Sequence, residues 1–334
     1  MERVYHTRIA LEGLSELGNK ISIIGFMKKP RNRQELILLN HNLKGAAWVL
    51  FYCITFTFSM TLNKMIDLAI PTSLKVLIRA CFGLLFFSPI ILKYGRVIFY
   101  SYNFKLQLLR ILYLSLAMGG TYFTYANLPF ALAASVGFTG PIFTAVLSYF
   151  MLKDRLSWDQ WLAIIVGYLG VLLMMNPKGD FNNAIYVAIF ANIVTGISVI
   201  YTKRLTAVDS RNTIIILGNI GVIIASIVWT FIIWVTSLYD NPLASIVWVW
   251  PSWSDVMLLM GMGFLGALSQ IAYVTALKYA SPSFLSPFEY SRLVIAVPVG
   301  LAFGEAFPEQ QEFIGIVVII LTTLYMSWRG GRHA

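Results

Sequence analysis

From residue 45 to residue 328 the chain is almost continuous apolar sequence, cut by short polar turns into runs of roughly 20 residues. Such a run is the length at which a helix crosses the hydrocarbon core of a bilayer, and a helix satisfies its own backbone polar groups there. Ten runs read this way: 45–63, 71–92, 108–126, 129–151, 158–175, 182–202, 212–236, 254–276, 281–304 and 311–328. They predict an all-α polytopic membrane protein with ten transmembrane helices. Asn127-Leu128-Pro129 is a turn signal between the third and fourth runs rather than a loop. Composition agrees, because only 12% of residues are charged, against roughly 25% in soluble domains. Trp158, Trp161, Trp250, Trp253 and Trp328 fall near predicted span ends, the depth that suits an apolar ring with one polar tip.

The distribution of Lys and Arg orients these spans. With the N-terminus in the cytoplasm, the basic residues ahead of the first run fall on the cytoplasmic side. So do Lys93, Arg96, Lys105, Arg110, Lys153, Arg155, Lys203, Arg204, Arg211, Lys278, Arg329 and Arg332. Lys64 and Lys178 fall outside, and Lys75, Arg79 and Arg292 lie within the membrane. Both termini are therefore expected in the cytoplasm. The net charge of +10 lines one membrane face, where anionic headgroups attract it, and no nucleic-acid partner is needed. Residues 1–44 form a basic cytoplasmic segment. Leu11, Leu14, Leu17, Ile21 and Ile24 recur there at helical spacing, which fits an interfacial helix or a disordered tail. Cys53 and Cys81 both fall in predicted spans and read as small core residues rather than a disulfide. All three histidines lie in the terminal segments, so no metal or cofactor is expected.

Two stretches repeat one pattern: residues 138–177, with "FTGPIFTAVLSYFMLKDRLSWDQWLAIIVGYLGVLLMMNP", and residues 287–328, with "PFEYSRLVIAVPVGLAFGEAFPEQQEFIGIVVIILTTLYMSW". Each has an apolar helix, a short acidic turn and a second helix that starts with a glutamine and contains glycine. Asp154 answers to Glu305, and Gln160 to Gln311. These two turns face opposite sides of the membrane in the predicted topology. The chain therefore reads as two inverted five-helix repeats, 45–177 and 178–328, followed by a tail at 329–334. Secondary transporters commonly share this plan.

On these motifs, and on "LKVLIRACFGLLFFSP" in the second run and "ALKYASPSFLSPFEYSRLV" near the ninth, the chain resembles EamA-type drug/metabolite transporters over about residues 44–328. The last stretch is most similar to the branch that includes S-adenosylmethionine uptake carriers. In that branch the basic residue tends to precede the acidic one, whereas here Glu289 precedes Arg292. The family's turn glutamate is Asp154 in the first half. The resemblance implies a multi-pass transporter of a bacterial inner membrane.

A charge at the centre of a spanning helix costs about 2.5–3.5 kcal/mol on insertion scales, so the few that occur usually mark a wet cavity or a pair. Lys75 and Arg79 are spaced i, i+4 on one helix face. Arg79 matches the arginine common at this point in the family, and it reads either as a bidentate receptor for a substrate carboxylate or phosphate or as a strut between helices. Glu289 and Arg292 are spaced i, i+3 and can pair along their own helix. They read as part of a substrate cavity or as a structural pair. Pro282 and Pro287 leave nearby carbonyls without an amide donor, open to a ligand or water. Tyr122, Tyr125, Tyr273 and Tyr290 are candidate stacking surfaces, with Phe138 and Tyr201 beside them. Asn192 and Gln270 complete the candidate substrate-binding set as polar amides that need partners in lipid.

No catalytic constellation of histidines, nucleophiles or paired carboxylates sits at membrane depth, so an enzyme is not expected. The function that fits is a secondary carrier that moves a small polar metabolite by alternating access, with S-adenosylmethionine uptake or exchange one candidate and export of amino acids or related metabolites the other. A channel or membrane scaffold is the rival outside that class. The expected partners are the small-molecule substrate and the lipid bilayer, in a monomer or homodimer.

Overall fold

A computed structural model describes residues 33–66, 70, 72–128, 134, 136–154, 156–175, 184–237, 251–302 and 309–329. Every one of the ten apolar runs carries helix within these residues. The helices are α1 (Arg33–Met65), α2 (Thr72–Phe86), α3 (Ser88–Tyr94), α4 (Phe104–Asn127), α5 (Gly140–Leu152), α6 (Trp158–Met175), α7 (Ala184–Leu205), α8 (Arg211–Ser237), α9 (Trp253–Tyr279), α10 (Pro282–Leu285), α11 (Ser291–Ala302) and α12 (Gln310–Arg329). Among the described residues, four helical stretches are long and apolar enough to span a bilayer: Asn40–Asn63, Ala184–Leu205, Arg211–Ile232 and Trp253–Tyr279. Ser73–Phe86 with Ser88–Phe99 makes a fifth if this bent pair is one span. Phe150, Leu162, Phe231 and Leu324 stand exposed on the outer surface, a density of apolar side chains that suits lipid rather than water.

Several sequence expectations change in detail. The first helix begins by Arg33, well inside the segment read as a tail; the expected helix around Leu11–Ile24 lies outside the described residues. The second run is not one rod. It bends by 47° between α2 and α3, where Pro89 sits in the first turn of α3 and has no amide to continue the α2 ladder. The ninth run is broken into α10, a 3₁₀ turn over Ser286–Tyr290, and α11, because Pro282 and Pro287 each withhold a backbone donor. Cys53 is fully buried as expected, but Cys81 is exposed. It lies on the face of α2 turned away from the bundle, so it is not a core residue.

The helices pair across the sequence. α1 packs along α9, α4 along α7, and α6 along α12, while α2 packs on both α8 and α9. α5 packs on α7, and α11 on α1. Close approach explains the glycines of α9: a Cβ at Gly263 would stand 2.6 Å from Phe82 Cβ and 3.0 Å from the Arg79 carbonyl. Small residues there let α2 and α9 backbones touch.

Candidate functional site

The break in the ninth run builds the site. Ser281 caps the short α10 through the Phe284 amide, and the 3₁₀ turn that follows carries Glu289 and Tyr290. Arg292, in the first turn of α11, folds back so that its Nε donates to the Glu289 carbonyl (3.1 Å) and its Nη2 to Glu289 Oε2 (3.4 Å). The other carboxylate oxygen, Oε1, accepts from the Tyr273 hydroxyl of α9 at 3.1 Å. Both oxygens of the partly buried acid are thus engaged by the chain, and the pair keeps 19% (Arg292) and 14% (Glu289) side-chain exposure.

Rings surround the guanidinium. Its central carbon lies 5.1 Å from the centroids of Phe56 and Phe138 and 5.9 Å from that of Tyr52, within cation–π range. Tyr52 also packs against Tyr273 with centroids 4.8 Å apart. On α1 the residues Tyr52, Cys53, Phe56 and Thr57 share one helical face. Cys53 Sγ donates to the Phe288 carbonyl (3.5 Å) and Thr57 Oγ1 to the Arg292 carbonyl (3.4 Å). Protein donors thus serve the carbonyls of Phe288 and Glu289, and Ser286 Oγ donates to the Ser283 carbonyl (3.0 Å), one of those that Pro287 leaves without an amide.

Tyr290 is fully buried, with its hydroxyl unpartnered among the described residues. A buried donor left unpaired costs about 1–3 kcal/mol, which makes it a natural hydrogen-bonding partner for something that enters the site. Its ring fills the space that Gly167 of α6 leaves, since a Cβ there would meet Tyr290 Cδ2 at 2.9 Å.

The remaining sequence candidates divide. Asn192 on α7 donates to the Val136 carbonyl (2.7 Å) and to Thr139 Oγ1 (2.9 Å); it therefore pins the segment that carries Phe138 over Arg292. Gln270 pairs with Asn219 of α8 at 2.9 Å and does not join the Glu289 cluster. Arg79 lies beside Gly266 of α9, seven residues or about 10 Å along that helix from Tyr273. Tyr201 stacks near Tyr113. The side chains of Tyr122 and Tyr125 lie outside the described residues.

Sequence reasoning missed three features. Tyr52 and Phe56 are not among the sequence candidates, although their i, i+4 spacing is visible. Arg110, counted with the cytoplasmic charges at the start of the third run, is buried inside α4: it donates to Thr202 Oγ1 (2.8 Å) and to the Ile214 carbonyl (2.9 Å). The helix starts at Phe104, which carries Arg110 past the first turn into the bundle. The third is a latch at the other end of α10. Asp154 accepts from Ser148 and, at 2.9 Å, from Ser283. Beside it Lys203 Nζ donates to the carbonyls of Leu277 (2.6 Å) and Ala280 (2.9 Å) at the C-terminus of α9. No group of three or more metal-ligating side chains occurs among the described residues.

Comparison with known proteins follows the same line. Residues 43–176 match the EamA-like transporter family. An S-adenosylmethionine uptake transporter of Rickettsia conorii is 25% identical over 86% of this chain and 93% of its own length. A riboflavin transporter of Vibrio cholerae is 23% identical over 86% of this chain and 94% of its own length. A protein known from its crystal structure aligns with a TM-score of 0.68 at 15% identity, covering 85% of this chain and 95% of its own, and so shares the fold. The first half of this multi-pass helical membrane protein thus matches the EamA-like transporter family, and most of the chain is similar to bacterial transporters.

Proposed function

We propose that the chain is a secondary carrier of a bacterial inner membrane that moves a small polar metabolite by alternating access, with S-adenosylmethionine the leading candidate. The observation that carries this reading is the Glu289–Arg292–Tyr273 cluster beneath the rings of Tyr52, Phe56 and Phe138, set at a helix break. Discontinuous helices at mid-membrane are where carriers hold polar substrates. The carboxylate and ring faces suit a sulfonium or ammonium group, and the same rings suit a planar heterocycle.

The reading includes ten spans with both termini cytoplasmic, in two inverted halves over 45–177 and 178–328. Helix pairing supports it. Advancing each element by five spans, and wrapping round, turns the α1–α9 contact into α7–α4, α5–α7 into α11–α1, and α2–α9 into α8–α4; it leaves α2–α8 and α6–α12 unchanged. All of these contacts occur, and this is the pattern a twofold axis in the membrane plane produces.

The test is uptake of labelled S-adenosylmethionine into proteoliposomes, with and without unlabelled compound inside, for the native chain and Glu289→Gln. Saturable uptake accelerated by internal substrate and lost in the variant is the expected result. Absence of uptake above empty liposomes, with protein inserted and folded, would remove this substrate, and riboflavin and amino acids would be tested next. The aromatic cage is the specific reason to keep a flat ring such as riboflavin as the second reading.

A further inference from the structure

We propose that Arg292 is a tethered counter-cation: it neutralises Glu289 while the carrier is empty, and a cationic group of the substrate displaces it from the carboxylate and its aromatic cage. The inference rests on the carrier reading above and deepens it by naming the substrate's recognised feature, an ammonium or sulfonium centre.

The geometry points this way on three counts. Glu289 presents no unused oxygen, because Tyr273 holds Oε1 and Arg292 holds Oε2. A ligand cation that takes the Oε2 position beneath the rings therefore has to replace the arginine. The guanidinium occupies a receptor for a cation, three rings beside a carboxylate, at 5.1–5.9 Å from the centroids. Ring faces attract any cation through the same quadrupole. Finally, the pair is built to release. One Nη2 bond of 3.4 Å joins the guanidinium to the carboxylate rather than a two-bond fork. Both partners also retain some exposure.

The consequence concerns the return of the empty carrier. Alternating access carries the site through a closed state without solvent on either side. A lone Glu289 charge would make that passage unfavourable, and Arg292 supplies the missing counter-charge when no substrate does. Without the arginine, the loaded carrier still crosses because the substrate neutralises Glu289. Empty return then slows on the order of 100-fold, the rate equivalent of one uncompensated intramembrane charge.

The experiment compares net uptake with exchange of labelled S-adenosylmethionine in proteoliposomes for the native chain, Arg292→Gln and Arg292→Lys. The native chain and Arg292→Lys are expected to perform both. Arg292→Gln is expected to keep exchange and lose net uptake on the order of 100-fold. Parallel loss of both activities in folded Arg292→Gln protein, or undiminished net uptake, overturns the proposal.

A second readout needs no substrate. Spin labels at Lys153→Cys and Lys278→Cys, both exposed positions, in a Cys53→Ala, Cys81→Ala background report the separation of α5 and α9 at the latch end. Unliganded protein with Arg292 should populate two separations and Arg292→Gln one, while Glu289→Gln/Arg292→Gln should recover both. Identical distributions in all three overturn the proposal. If the native chain carries no S-adenosylmethionine yet the distances follow this order, the substrate assignment fails and the counter-cation stands.

Discussion

Lys203 offers the sharpest test of the closed end. Its ammonium donates to Leu277 and Ala280 carbonyls at 2.6 and 2.9 Å. Leu277 is in the last turn of α9, where carbonyls lack an intrahelical donor, and a cation there also faces the negative end of the helix dipole. Two charge-assisted bonds are worth about 1.5–3 kcal/mol each when buried. The ammonium is only partly buried, and it regains water when the latch opens, so about 2–3 kcal/mol is the net contribution to closure. Lys203→Met should therefore raise the open population by about 30- to 140-fold. The assay is the rate at which a membrane-impermeant thiol reagent modifies Ser286→Cys from the latch side of the membrane, with Cys53 and Cys81 replaced by Ala. Ser286 is 1% exposed and sits between the latch at Ser283 and the site at Glu289, so it reacts only when that end opens. Lys203→Arg, which retains donors, should stay near the native rate. An unchanged rate in Lys203→Met refutes the latch.

Two further outcomes follow from the same contacts. Tyr273→Phe removes one donor from a charged acceptor, worth about 1.5–3 kcal/mol; the substrate concentration for half-maximal exchange should rise about tenfold or more, and an unchanged value would exclude the hydroxyl from the site. At Gly119 a Cβ would stand 2.0 Å from Trp229 Cζ2, and overpacking of this kind costs about 1–3 kcal/mol. Gly119→Ala should lower the yield of folded, monodisperse protein, and Gly119→Ala with Trp229→Leu should restore it; failure of that rescue would place the damage elsewhere.

What the sequence revealed depended on the range of the physics involved. Each apolar run carries helix among the described residues, because hydropathy over 20 residues is a local property set by the solvent. It failed at Pro89 and within residues 282–290, where the hydropathy stays high although the backbone ladder is cut. Proline signalled both places, but what surrounds a break is supplied by segments far away in the chain. Cys53 and Thr57 on α1 answer the carbonyls of Phe288 and Arg292 from 235 positions away in the chain, and no local pattern announces that.

The site shows the same division in its charges. The spacing of Glu289 and Arg292 predicted their pairing, and the 3.4 Å bridge is there. Their surroundings came from three other elements: Tyr52 and Phe56 from α1, Tyr273 from α9, and Phe138 from the segment that Asn192 of α7 pins. A buried pair supported from one helix alone would be a poor stability device, since apolar side chains of similar volume do as well or better. Here donors and rings from several helices converge on a single carboxylate and a single guanidinium. A closed and an open state of the bundle would separate those helices, and so would change how well each charge is compensated. The same contacts that make the pair tolerable in lipid therefore make its energy depend on conformation, which is the property a carrier needs in the residues that sense its substrate.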